Sequence, residues 1–193
     1  MPRTWSTIWR PVSRGCAGLE LAQGVGLPER PQIRRFQPED WPQLWPLLHA
    51  TFETGETYAY APDSTAVEVH KAWIENPAAT FVACGANGEL LGTYYLKANQ
   101  PGLGAHVCNC GYVVAPLAQG QGVASAMCEH SQREAVAMGF RAMQFNLVVA
   151  TNERAVRLWQ RLGFSIVGRL PRAFRHQRLG YVDALVMYKE LKA

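Results

Sequence analysis

The sequence predicts a single α/β domain, and three observations carry that prediction. From Gln32 onward, apolar periods of two and of three to four residues alternate along the chain. The 193 residues suffice for one buried core and leave little room for a second. Apolar residues come in short runs, such as 146–150 and 183–188, that fall far short of the ~18 residues that would cross a bilayer.

Taken in order, residues 33–36 alternate as a short strand. Pro38, Glu39 and Asp40 then open a helix whose Trp41, Leu44, Trp45, Leu48 and Phe52 recur at helical spacing, with Pro42 and Pro46 expected to perturb its first turns. A second helix fits residues 65–75. Residues 79–84 and 90–97 flank Asn87-Gly88, a strong turn signal, and read as an antiparallel hairpin. A strand at 106–115, a helix at 123–138, a strand at 142–149, a helix at 152–162 and two closing strands complete the order.

Residues 1–30 differ in character. They carry Gly and Pro punctuation, Trp5, Trp9, Arg3, Arg10 and Arg14, and no acid before Glu20, so they read as an N-terminal extension to a domain spanning residues 31–193. An Arg-rich, acid-poor start has something of a transit peptide, an overlong translation start produces the same picture, and the apolar stretch of a secretory signal is missing.

Charge and cysteine usage narrow the functions. Nineteen Lys and Arg against fifteen Asp and Glu leave a net charge of +4, enough for a nucleotide-sized anion and short of the basic stripe that duplex DNA demands. Cys16, Cys84, Cys108, Cys110 and Cys128 are odd in number and lack a framework spacing, which predicts reduced thiols and a cytoplasmic setting. His106, Cys108 and Cys110 alternate along one strand, a spacing that is not usual for zinc, so no metal is expected.

The informative segment runs from Val113 to Ser125. A strand broken at Pro116 leads through a glycine-bearing turn into a helix, and a glycine turn at a helix start offers close backbone approach and unpaired N–H donors to an anion. No Lys-Ser or Lys-Thr follows the glycines, which disfavours a P-loop. About thirty residues later, Thr151 or Asn152 can cap a helix with Ala155, Leu158, Trp159 and Leu162 on one face, and Gly163 is placed to end it in a left-handed turn.

Val114-x-Pro116 followed by Gln119-x-x-Gly122-x-Ala124 resembles the acetyl-CoA loop of the GNAT superfamily of N-acetyltransferases. Asn152-x-x-Ala155-x-x-x-Trp159-x-x-x-Gly163-Phe164 resembles the second signature of the same superfamily. The resemblance covers about residues 32–190. It implies the GNAT fold, an α/β architecture with a mixed and largely antiparallel central sheet flanked by helices and with splayed central strands, acetyl-CoA as co-substrate, and a small-molecule amine as acceptor. Tyr112, Val113, Val114, Gln119, Gly120, Gln121, Gly122, Val123, Ala124, Ser125, Asn152 and Trp159 are the implied cofactor contacts, with Asn152 on the pantetheine arm and Trp159 beside the thioester sulfur. The family often has Tyr where this chain has Trp159, and an indole cannot serve as a practical acid toward the departing thiolate. Homodimerisation, common in the superfamily, is a further expectation; nucleic acid and membrane are not expected partners.

For the acceptor side, no carboxylate presents itself on the central strands, leaving His106 as the nearest titratable candidate for a base. Asn109 and Asn146 sit mid-strand in apolar sequence, where an amide is costly unless satisfied, and either a structural clamp or substrate contact would satisfy it. The stretch Gly92–Tyr112 resembles fungal acetyltransferases that act on proline analogues such as azetidine-2-carboxylate, a comparison that puts Asn109 and Asn146 at substrate-contacting positions. The loop between the first two helices supplies Glu56, Thr57 and Tyr58 as candidate acceptor residues, and residues 172–178 read as an exposed basic loop. Two rivals stand beside this reading: an acetyltransferase of polyamines, antibiotics or protein N-termini, and a noncatalytic acetyl-CoA-binding module.

Overall fold

The computed structural model describes residues 30–192, so the expected N-terminal extension lies outside the described residues. Seven strands form one sheet in the order β1-β2-β3-β4-β5-β7-β6. They are β1 (Gln32–Arg35), β2 (Ala79–Cys84), β3 (Leu90–Ala98), β4 (Val107–Val114), β5 (Ala142–Val149), β6 (Ser165–His176) and β7 (Gly180–Glu190). Every pairing is antiparallel except β4 with β5. A parallel pair needs a crossover, and the helix α3 (Val123–Ala137) supplies it. The hairpin at Asn87-Gly88 forms as the turn chemistry requires, with Gly88 at φ 81.

Alternation along the strands sends side chains to two cores. On one face, Tyr94, Leu96, Cys108, Cys110, Met143, Phe145 and Met187 pack against α3 and the helix α4 (Glu153–Arg161). On the other, Val82, Tyr95 and Val113 meet Leu44, Leu48 and Phe52 of α1 (Trp41–Glu53), together with Val69 and Trp73. The last two belong to α2 (Ala66–His70) and the π-helical segment Lys71–Glu75 that continues it. Trp73 is fully buried, and its indole donates to Thr93 Oγ1 at 3.2 Å, so the polar end of a large core residue is satisfied.

A 3₁₀ turn over Pro38–Asp40 precedes α1, and Pro46 lies inside the helix. Asp40 fixes this entry: it accepts two hydrogen bonds from Arg34, at 2.7 and 2.8 Å, and one from the Gln37 N–H. The Arg34 guanidinium, aided by that N–H, holds the Asp40 carboxyl below the usual range.

The expected basic loop at residues 172–178 is corrected. Residues through His176 belong to β6, and Phe174 and His176 are buried; the chain turns only at 177–179. Charge-rich sequence hid a strand whose alternate residues face inward. Among the described residues, no helix is long and apolar enough to cross a membrane.

Candidate active site

The parallel ladder between β4 and β5 is short. It joins Val107, Cys108 and Asn109 to Ala142, Met143 and Gln144, and then the strands part. The pairing of β5 with β7 also shifts register between Phe145 and Val148, which lets β5 bend away. Beyond Asn109, β4 therefore has a backbone edge with no strand beside it.

Register fixes which groups lie along that edge. The Asn99 N–H bonds the Val107 carbonyl and the Ala115 N–H bonds the Leu91 carbonyl, so odd-numbered residues of β4 pair with β3. By alternation, the N–H and C=O of Tyr112 and Val114 point into the split. The Tyr58 hydroxyl, which donates to the Tyr112 carbonyl at 2.8 Å, occupies that side.

The split opens into one cavity of about 660 Å³. One end is lined by Val114, Gln119, Gly120, Gly122, Val123, Ala124, Ser125, Asn152, Arg154, Trp159 and Arg161. Gly120 and Gly122 adopt φ of 85 and 82, which only glycine takes without strain, and no heavy atom lies within 4 Å of where a Cβ on Gly122 would stand. The helical ladder of α3 starts with the Ala126 N–H on the Gly122 carbonyl, so the N–H groups of Val123, Ala124 and Ser125 have no intrahelical acceptor. With Arg154 beside Gly120, this end is chemically suited to a phosphate chain.

α4 forms the neighbouring wall. Asn152 caps it by accepting from the Ala155 N–H at 3.2 Å, and Gly163 ends it at φ 89. Trp159 is buried against Tyr112 and Phe145, with ring centroids 4.9 and 5.2 Å away.

The opposite end is aromatic and uncharged. Thr51, Thr57, Tyr58, Tyr60, Tyr95 and Asn109 line it, and among the described residues no Asp, Glu or His contributes to the cavity wall. Burial raises Tyr58, Tyr95 and Tyr112 above the usual phenol range, so they act as hydrogen-bond donors and not as bases. Burial likewise pushes Cys108 up to about 12 and Cys128 to about 11, which makes them packed thiols.

Asn109 sits at the fork. Its Oδ1 accepts from the Tyr95 hydroxyl at 3.0 Å, and its Nδ2 donates to the Gln144 carbonyl at 2.9 Å, extending the ladder by one side-chain rung. Asn146 also lines the cavity, but the apolar surroundings expected from sequence are absent. It is exposed, accepting from Gln144 Nε2 at 2.8 Å and donating to Asn99 Oδ1 at 2.7 Å.

Three candidates fall outside the cavity wall. His106 precedes β4, is exposed, and faces the Leu103 carbonyl, because the strand begins one residue later than its alternation suggested. Gln121 turns away from the cradle to donate to the Leu117 carbonyl. Glu56 pairs with Arg178 at 2.6 Å, while its neighbours Thr57 and Tyr58 reach the cavity. Conversely, Tyr60, Tyr95, Arg154 and Arg161 line the cavity without having been singled out. Arg154 and Arg161 lie inside the second signature at positions that it leaves unspecified, and Tyr95 lies on β3.

A sheet split beside a helix N-terminus, with anion-binding backbone at one end and a neutral pocket at the other, suits an enzyme that brings an extended anionic co-substrate against a second, small reactant. Residues 40–164 match the model of the Acetyltransferase (GNAT) family, and the chain belongs to that family. N-acetyltransferase aca1 of Schizosaccharomyces pombe is 40% identical over 100 residues, which are 50% of this chain and 47% of the relative. The chain spans about half the length of the curated relatives it matches. A GCN5-related N-acetyltransferase from Kribbella flavida superposes with a TM-score of 0.80 at 42% identity, over 84% of this chain and 99% of that one. A phosphinothricin acetyltransferase from Sinorhizobium meliloti, solved with AcCoA, shares the fold at 17% identity and a TM-score of 0.75, over 84% of this chain and 89% of that one.

Proposed function

We propose that this protein is an acetyl-CoA-dependent N-acetyltransferase that acetylates the amine of a small amino or imino acid by direct attack on the thioester. The observation that carries the reading is the single cavity joining the glycine cradle to the neutral aromatic pocket through the split at Asn109. Family membership and the similarity to N-acetyltransferase aca1 support the acetyl-transfer chemistry, and the small, neutral aromatic end of the cavity supports a small acceptor.

Acetyl-CoA would supply the activated acyl group, with its phosphates against the first turn of α3 and Arg154, and its pantetheine arm along β4 and Asn152. Val114 presents a backbone N–H at the split, where it would donate to the thioester carbonyl oxygen as charge builds there. Tyr112 presents a carbonyl able to accept from the attacking amine, and the Tyr58 hydroxyl holds that carbonyl in place.

Among the described residues, the pocket holds no carboxylate or imidazole to take a proton from an ammonium. The acceptor therefore enters as the free base, and the rate follows the fraction of amine that is unprotonated. Trp159 borders the sulfur position as a donor only, so the thiolate takes its proton from solvent. Asn109 orients the amine by its Oδ1, which keeps a second lone pair beyond the bond from Tyr95. Asn146, at the rim, contacts the rest of the acceptor.

Thiol release from acetyl-CoA, measured with purified protein across cyclic imino acids, amino acids, polyamines and aminoglycosides with product masses confirmed, tests the reading. Turnover on imino or amino acids supports it. Turnover confined to polyamines or aminoglycosides replaces the acceptor class, and tight acetyl-CoA binding without turnover favours a binding module.

A further inference from the structure

The sheet register sets four polar side chains in one row beside the acceptor end of the cavity. Lys97 on β3 is the partner of Asn109 on β4, Asn109 of Gln144 on β5, and Gln144 of Tyr188 on β7. Directly paired residues project to the same face, so the row presents an ammonium, two amides and a phenol. Lys97 forms none of the ion pairs among the described residues. Its ammonium rests 5.3 Å from the centroid of Tyr95, the residue whose hydroxyl donates to Asn109 and which lines the acceptor end.

Charge elsewhere in the cavity is distributed one way. Among the described residues, the two cations on its wall, Arg154 and Arg161, come from α4 on the cradle side, and no acid lines it. A second positive charge on the acceptor would find no partner. A negative charge near the amine would find the Asn109 amide and, one strand over, Lys97.

We propose that Lys97 is the specificity determinant that receives the acceptor's carboxylate, restricting the enzyme to amines with a free carboxylate on the adjacent carbon; this rests on the amino or imino acid reading above. The dimensions agree. In such an acceptor one carbon separates amine from carboxylate, and the Cα atoms of a hydrogen-bonded cross-strand pair such as Lys97 and Asn109 stand about 5.5 Å apart. Asn109 Nδ2 donates one hydrogen to Gln144 and keeps a second, so the amide and the ammonium offer the carboxylate two donors from neighbouring strands. The cation and ring contact to Tyr95 is a weak resting place at a partly exposed site, and the flexible stem lets the ammonium leave it.

The test compares azetidine-2-carboxylate with its carboxamide, using the full chain, Lys97→Met and Lys97→Arg. Lys97→Met keeps most of the stem and removes the charge. It should raise KM for the acid by about 10- to 100-fold, the worth of a charge-assisted hydrogen bond. KM for the carboxamide and for acetyl-CoA should stay where they are, and Lys97→Arg should retain most of the preference for the acid. If Lys97→Met shifts acid and carboxamide alike, or neither, Lys97 is a packing residue and the proposal is overturned. If the unmodified protein acetylates neither compound, or only amines lacking a carboxylate, the acceptor reading falls and takes this proposal with it.

Discussion

The two ends of the cavity are built by different means. The cradle end is made from backbone: two left-handed glycines and the first turn of α3, contributed by consecutive residues 119–125 and reinforced by α4. The acceptor end is made from side chains drawn from α1, the 54–60 loop, β3, β4 and β5, and it is held by contacts between distant segments. Tyr58 bonds Tyr112, Asn146 bonds Asn99, and the Gln177 N–H bonds the Gly55 carbonyl at 3.0 Å. Backbone presents the same groups whatever the side chains, whereas the acceptor end can be redesigned one residue at a time. A family with one co-substrate and many acceptors is served by that division.

The largest expected effect is at the cradle. Gly122→Trp should weaken acetyl-CoA affinity by at least about 100-fold, about 2.7 kcal/mol, measured by isothermal titration. Gly139→Trp imposes the same left-handed strain just past α3, at φ 89 with open space around it, and should leave affinity intact. Equal loss in both variants would mean that strain, not occupancy of the cradle, is responsible.

At the fork, Asn109→Ala removes the rung to Gln144 and the acceptor for Tyr95. We expect kcat/KM for the acceptor to fall by about 10- to 100-fold, from one or two lost hydrogen bonds at the site of reaction, with acetyl-CoA affinity unchanged. Unchanged kinetics would leave Asn109 a structural clamp and move the boundary between the two ends toward Tyr58.

The sequence revealed these ends unequally, for the same reason that they differ in construction. Gly120, Gly122, Asn152 and Gly163 were legible because turns and caps are local: a left-handed φ, a helix start and a helix stop each leave a mark within a few residues. The strand and helix order was legible from periodicity, and the glycine-marked hairpin from its turn. His106 was misplaced because β4 begins at Val107, so the alternation that holds for Cys108 and Cys110 does not reach it. Tyr95 and Lys97 gave no local sign. Their relation to Asn109 exists only through the register of β3 on β4, and the pairing of Glu56 with Arg178 spans 122 positions that no spacing rule connects.

Two smaller effects probe how the acceptor end is supported. Asp40 anchors the start of α1, which leads into the 54–60 loop. Its folded pKa is depressed, so its contribution is present above the ordinary Asp value of 3.8 and is lost as pH falls through the lower folded value. Asp40→Asn should therefore lower stability by about 1–2 kcal/mol at neutral pH in denaturant melts, and the gap to the unmodified protein should close in acid. A gap that persists or widens in acid would show that the carboxylate charge is not what holds the helix.

The smallest effect belongs to the exposed pair of Glu56 and Arg178. Glu56→Arg or Arg178→Glu alone should raise acceptor KM by about two- to fivefold, consistent with an exposed pair worth up to about 1 kcal/mol. The double exchange should restore it, and acetyl-CoA KM should not move in any of the three. Failure of the double exchange to restore KM would assign the tie between loop and hairpin to the Gln177 backbone bond alone.

Trp159, stacked near Tyr112 at the junction of the two ends, has an optical consequence. Its indole lines the cavity, whereas Trp73 is sealed in the other core and Trp41 and Trp45 lie on α1. Among the described tryptophans Trp159 alone is on the cavity wall, so a change in its emission should report co-substrate arrival on a stopped-flow timescale, without any label and before any amine is added.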